Sequence, residues 1–167
     1  MMTSIATPMT TAIGARRSPA ARVAALYAKA ADLLQAASPL ADLALRLYVA
    51  NVFWVSGLAK VQSWQTTLQL FEYEYRVPLL PPALAAYAAT FTELFFPALL
   101  ALGLGGRLAA AVLFVFNIVA VISYPDLNAA GLAQHEVWGL MLLVLVLHGP
   151  GALSCDRLLR NRFRTRA

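Results

Sequence analysis

The chain alternates long apolar blocks with short breaks rich in polar residues, proline or glycine. Four blocks approach the roughly 20 apolar residues that a membrane span needs. They are Leu40 to Val61, Ala83 to Gly103, Arg107 to Tyr124 and Val137 to Leu153, the last two relying on their flanks. Few polar residues interrupt them. Asp42, Arg46, Asn51 and Lys60 fall in the first block, Glu93 in the second, Asn117 in the third and His148 in the fourth.

Upstream of these blocks, Ser18-Pro19 has the form of an N-cap followed by a first-turn proline. Val23, Leu26, Tyr27, Ala30, Leu33, Leu34 and Ala37 then share one face at helical spacing. Arg22, Lys29, Asp32 and Gln35 share the other. The spacing predicts an amphipathic helix over 18–38, stopped by Ser38-Pro39 and lying at the membrane interface. The alternative is an exposed helix packed on a soluble partner.

Between the first two blocks, FEYEYRVPLLPP alternates like a strand. A second period competes with it. Trp64, Leu68, Phe71 and Tyr75 repeat at steps of four, three and four, a helical stripe. An open strand edge at membrane level would leave backbone groups unpaired. Trp64 to Arg76 is therefore read as an interfacial helical segment, a lid over the outer mouth of the bundle close to Lys60. Pro78, Pro81 and Pro82 end it and start the second span.

Composition and charge sharpen this picture. Only 13% of the residues are charged, against about 25% in ordinary globular domains. The net charge of +5 sits mostly at the ends. Arg16, Arg17, Arg22 and Lys29 precede the first block, and Arg157, Arg160, Arg162, Arg164 and Arg166 follow the last. With an even number of spans, Arg107 in the LGLGGR turn falls on the same side as both termini. The other side carries Glu72, Glu74, Asp126 and Glu136 with a single Arg76. The positive-inside rule then puts both termini in the cytoplasm. Basic ends beside apolar helices suit anionic headgroups rather than nucleic acid.

The expected fold is thus all-α: an integral membrane four-helix bundle with an N-terminal amphipathic interfacial helix. Residues 1–17 read as a disordered tail without a signal peptide. Residues 18–38 form the interfacial helix, 39–154 the membrane domain and 155–167 a basic cytoplasmic tail.

Candidate chemistry lies in the polar interruptions, because ionisable groups at bilayer depth usually face a bundle interior or cavity. Arg46, Val49, Phe53, Gly57 and Lys60 share one face of the first span, and Ala86, Ala89, Thr90, Glu93 and Pro97 one face of the second. Pro97 cannot donate to the carbonyl of Glu93, so a carboxyl and a freed carbonyl fall at one level. If each block is centred on the midplane, Arg46 lies about 9 Å to one side of Glu93 and Lys60 about 12 Å to the other. Arg46 is then the favoured partner of Glu93 and Lys60 the second. Asn117 lies near the midplane and can join either pair. His148, beside Gly149-Pro150, is a relay candidate or a residue bonding a loose carbonyl at a helix end.

The chain also excludes some chemistry. Cys155 is the one cysteine, so there is neither an intrachain disulfide nor a dithiol redox pair. A glycine-rich phosphate loop, a GxSxG elbow and paired metal-binding motifs are absent from the sequence. His135 and His148, about 20 Å apart on one helix, do not make a metal site. No catalytic residue and no cofactor is assigned from motifs.

The order of these features resembles the DoxX family. RLYVANVFWVSGLAKVQSW, TELFFPALLALGLGGRLAA and NIVAVISYPDL carry the resemblance. The family's pattern of Arg, G-x-x-K, Glu and a Leu-Gly turn with Arg falls on Arg46, Gly57, Lys60, Glu93, Gly103 and Arg107. The resemblance covers Leu40 to Leu153. It implies a four-helix protein of the bacterial inner membrane, with founding members associated with a thiosulfate:quinone oxidoreductase and others with oxidative or thiol stress. FEYEYRVPLLPP with ISYPDLN resembles a subgroup encoded beside secreted metal-stress peptides and their maturation enzymes, which implies a protein partner.

Three functions remain open at this level. One is a subunit of a redox or stress-response membrane system contacting quinone. Its Arg46–Glu93 region would bind an anionic or quinone headgroup or relay protons. Another is a non-catalytic scaffold or export partner for a secreted metal-stress peptide system; under any of the three, Gly57, Pro97, Gly103 and Arg107 are structural. The third is a small proton-coupled transporter gated by Glu93.

Overall fold

A computed structural model of the protein describes residues 19–164. The expected disordered tail over 1–17 lies outside them. The helical elements are α1 (Pro19–Gln62), α2 (Trp64–Tyr73), α3 (Pro82–Leu102), α4 (Gly106–Ser123), α5 (Ala129–His148) and α6 (Cys155–Arg164). The chain divides into two compact units, Met1–Ala37 and Ser38–Ala167.

In the first unit the described residues are helical from Pro19. Val23, Leu26, Leu33 and Leu34 are exposed there, as are Arg22, Lys29 and Asp32. The expected stop at Ser38-Pro39 does not occur, because Pro39 lies inside α1. A proline deletes one donor and strains one turn; here the helical hydrogen bonding continues past it.

In the second unit, α3, α4 and α5 are each long and apolar enough to cross a membrane. Four such helices were expected, and the remainder of α1 is the one that falls short. Its apolar run is diluted by Asp42, Arg46, Asn51 and Lys60. Both stripes read from the sequence turn inward. Arg46, Val49, Phe53 and Gly57 are buried along α1, and Ala86, Ala89, Thr90, Glu93 and Pro97 along α3. The opposite face of α3 exposes Leu84, Tyr87, Phe91 and Phe95. Apolar side chains on the outside as well as the inside are the signature of helices solvated by lipid.

The core is built around Phe53. Its ring meets Phe116 of α4 and Trp138 of α5 edge-on, with centroids 6.2 and 6.3 Å away. Gly57 brings α1 against α3. A Cβ there would lie 2.8 Å from Leu94 and 3.0 Å from Cβ of Glu93.

The helix ends are specified locally. α3 ends at Gly103, whose φ of 69° is left-handed, and Leu104 donates back to the Leu99 carbonyl at 3.0 Å. This Schellman-type ending needs glycine. The freed amides of α4 are met from α6: both carboxylate oxygens of Asp156 accept, from Gly105 N at 2.9 Å and Gly106 N at 3.0 Å. α5 starts at Ala129, eight residues before the expected Val137 and inside the segment read as a loop. Asn128 is its N-cap, accepting from Gly131 N at 2.8 Å. α5 closes at His148, not at Leu153, and residues 155–164 of the expected tail are the helix α6.

The interfacial segment is helical as expected, over Trp64–Tyr73. Its return loop is tied down where Arg76 N donates to Ser123 O at 2.7 Å. That bond joins the loop to the α4 end carrying Ser123 and Tyr124. The Gly103–Gly106 turn and the link between α5 and α6 gather at the opposite end. Arg107 and Arg157 belong to that second end; Glu72, Glu74 and Asp126 belong to the first.

Candidate ligand cavity

Glu93 is 5% exposed and does not meet Arg46. Its partner is Lys60. Lys60 Nζ donates to Glu93 Oε1 at 2.9 Å and lies 2.7 Å from Oε2. The same ammonium donates to Ser56 Oγ at 3.0 Å, and Ser56 donates to Glu93 Oε1 at 3.1 Å. The Gly57 contact sets the level. It places Glu93 opposite Gly57, so Lys60 is less than one turn further along α1, about 4.5 Å of rise. A lysine side chain spans that easily. Centring each block on the midplane misjudged the register because α1 and α3 are staggered.

Arg46 works at the other end. Its guanidinium donates to Leu153 O at 2.8 Å and to Pro150 O, and the Gly103 turn lies against its Nη1. Arg46 is 2% exposed and holds the α5–α6 link to the α3–α4 turn. Gly103 and Arg107 share this end. Arg107 donates to Leu147 O at 3.3 Å. His148 is exposed, with Nδ1 3.2 Å from the Val144 carbonyl one turn back. The Val144 carbonyl lies inside α5, and the structure does not bring His148 to Glu93.

Asn117 joins neither cation. Its amide donates to His135 O at 2.9 Å, and its Oδ1 lies 2.8 Å from His135 Nδ1. His135 is on α5 and packs edge-on against Trp138 at 4.9 Å.

Lys60, Glu93 and His135 border a cavity of about 260 Å³. Ser56, Lys60 and Glu93 supply its charged and hydroxyl groups from α1 and α3. Ser123, Tyr124 and His135 face it from the far side of the α4–α5 turn. Phe71, Tyr75, Val77 and Leu80 close it from α2 and the loop behind it. Tyr75 stacks edge-on with Tyr124 at 5.3 Å and with Phe71 at 5.0 Å. Burial, together with the neighbouring Tyr124, Glu74 and Glu93, pushes the Tyr75 phenol up from its ordinary value. The expected lid thus covers a cavity beside Lys60.

Ser56 has no expected role, Tyr75 falls on the expected stripe of the lid, and Ser123, Tyr124 and His135 flank the polar break between the third and fourth blocks. The helical stripe through Phe71 and Tyr75 was the available signal for the lid. For His135, the Asn128 N-cap was the missed signal, since it pulls residues 129–136 into α5.

Chemically, the arrangement is a small aromatic-walled chamber. One end carries a charge-compensated Lys–Glu pair and the other an imidazole and hydroxyls. At about 260 Å³ it is below the roughly 300–1,000 Å³ of sites for drug-sized ligands. It fits a single substituted ring.

Comparison with known proteins places this geometry in a family. An uncharacterized protein of Haemophilus influenzae is 29% identical over 132 residues, covering 75% of this chain and 87% of that one. No solved structure matches the chain. A family model described as DoxX matches residues 41–126, which include Arg46, Gly57, Lys60, Glu93, Gly103 and Arg107. The chain is a multi-pass membrane protein with lipid-facing helices, and it belongs to the DoxX family.

Proposed function

We propose that this protein is a quinone-contacting subunit of a redox or stress-response system in the bacterial inner membrane. The second half of α1 joins α3, α4 and α5 as a four-span bundle. Both termini face the cytoplasm, with the first unit as an amphipathic helix at the interface. The supporting observation is the aromatic cavity that ends on the buried Lys60–Glu93 pair. An ion pair at bilayer depth is costly to keep, and here it borders a chamber sized for one ring.

Two further arguments support the arrangement. Arg46 and Lys60, which dilute the apolar run of α1, both bond within the protein, so α1 need not show their charge to lipid. The end carrying Arg107 and Arg157 is basic and the end carrying Glu72, Glu74 and Asp126 is acidic, which supports this orientation by the positive-inside rule. The system's other members, a membrane or periplasmic protein among them, would supply the chemistry that this chain's motifs do not.

Photolabelling native membranes with an azidoquinone tests the reading. Label should fall on peptides containing Tyr75, Glu93 or His135 and be displaced by excess duroquinone. Label confined to the lipid-facing residues of α3, undisplaced by competitor, would refute it.

A further inference from the structure

The hydrogen bonds already made around the cavity limit what its polar ends can offer a ligand. The Lys60 ammonium has three protons. They are directed at Ser56 Oγ, Glu93 Oε1 and Glu93 Oε2. The single Ser56 proton goes to Glu93 Oε1. The strongest donors at that end are therefore consumed within the protein. Glu93 Oε2 is buried against its ion-pair contact with Lys60, so this end has little donor capacity to spare for a ligand.

At the other end the orientation of Asn117 fixes the imidazole of His135. The Asn117 amide nitrogen donates to the His135 carbonyl, which fixes the amide so that its oxygen faces His135 Nδ1. An amide oxygen only accepts. Nδ1 must therefore carry a proton, and in the neutral ring Nε2 keeps its lone pair. With Nδ1 occupied by Asn117, the edge His135 can offer the cavity is Nε2, an acceptor. Ser123 Oγ on the same wall is buried without a partner.

We infer that the cavity is a site for a hydroxyl-bearing aromatic ring, which donates to Nε2 of His135, and that Asn117 positions His135 for this contact. The inference rests on the ligand-cavity reading above and adds the polarity of the ligand. The lone pair at Nε2 of His135 calls for a ligand that brings a proton. A ring bearing only carbonyls would leave Nε2 of His135 unpaired and could bond only to hydroxyls of the lining such as those of Tyr75 and Tyr124. The aromatic wall of Phe71, Tyr75, Phe116 and Tyr124 accepts the ring face in either case, so discrimination comes from the polar ends.

Duroquinol and duroquinone differ by two hydrogens, and their filled ring positions do not add thiols. They can be titrated without oxygen into the full chain in detergent. Duroquinol should bind at least about tenfold tighter, a difference of about 1.4 kcal/mol. His135→Phe keeps a ring and removes the acceptor. It should lower duroquinol affinity by about that factor and leave duroquinone unchanged. Equal or tighter binding of duroquinone, or an equal loss of both ligands in His135→Phe, overturns the inference while leaving a ligand cavity in place. If neither compound binds, the cavity reading falls with it.

Nitrogen NMR of the wild-type imidazole provides a readout independent of any variant's folding. The His135 Nε2 resonance should be that of an unprotonated nitrogen and should move on addition of duroquinol. Asn117→Leu should let the other tautomer appear. A protonated Nε2, or one that duroquinol does not shift, overturns the assignment.

Discussion

Removing one partner of the Lys60–Glu93 pair should cost far more than removing both. Glu93→Gln keeps the shape and can still bond Ser56, but it leaves the Lys60 ammonium among apolar neighbours. Breaking a buried pair this way costs about 3–5 kcal/mol. The side chain of Lys60 is 19% exposed and that of Glu93 6%. Part of the ammonium can rehydrate, so the lower end, about 3 kcal/mol, is expected for Glu93→Gln. Lys60→Met strands the more deeply buried carboxylate and should cost at least as much. In the double variant nothing charged is stranded, and the loss should be only about 1–2 kcal/mol. The coupling energy is then about 4 kcal/mol, within the range reported for close charge pairs. Unfolding in mixed detergent micelles, followed by the fluorescence of Trp54, Trp64 and Trp138, gives each corner of the cycle. Losses that add to within about 0.5 kcal/mol would show that the groups do not form a pair.

Other consequences are smaller but as definite. Gly103→Ala should destabilise by more than Gly105→Ala: both positions are left-handed, but a Cβ at Gly103 meets Ser154 at 2.6 Å while the space beside Gly105 is open. The left-handed strain alone is about 1–2 kcal/mol, and denaturant midpoints of the two variants give the difference. Asn128→Ala should remove the cap of α5 at a cost of about 1 kcal/mol, seen as faster hydrogen exchange at Gly131. The Tyr75 phenol is raised in the folded state. Its contribution to stability is therefore complete below the ordinary value of 10.0 and is lost as pH rises through the folded value. Tyr75→Phe should flatten the alkaline limb of a stability–pH curve; an unchanged limb contradicts the burial argument.

What could be read from the sequence depended on whether local periodicity carried it. The inward stripes of α1 and α3 follow from steps of three and four. So does the helical nature of α2, despite the alternation in FEYEYRV. The Gly103 turn was marked by its own residues. Stagger between helices has no such signature. It depends on where backbones can approach, and Gly57 settles it by docking against Leu94. That contact made Lys60, not Arg46, the neighbour of Glu93. Arg46 looked like a partner for a carboxylate because it is an apolar-embedded cation. Its partners are backbone carbonyls at the end of α5, and a carbonyl freed by irregular backbone leaves no residue type to recognise. His135 was hidden by the polar loop before it. The residues from Asp126 to Gln134 look like linker, yet one Asn side chain is enough to start a helix there.

The measurement closest to the central claim is the quinone content of the purified chain. Protein extracted in mild detergent, freed of excess lipid and extracted with organic solvent, should yield close to one quinone or quinol per chain. Glu93→Gln that folds normally should yield much less. Content no higher than that of an unrelated multi-pass protein prepared in parallel, or equal content in Glu93→Gln, would contradict a ligand site at the Lys60–Glu93 cavity.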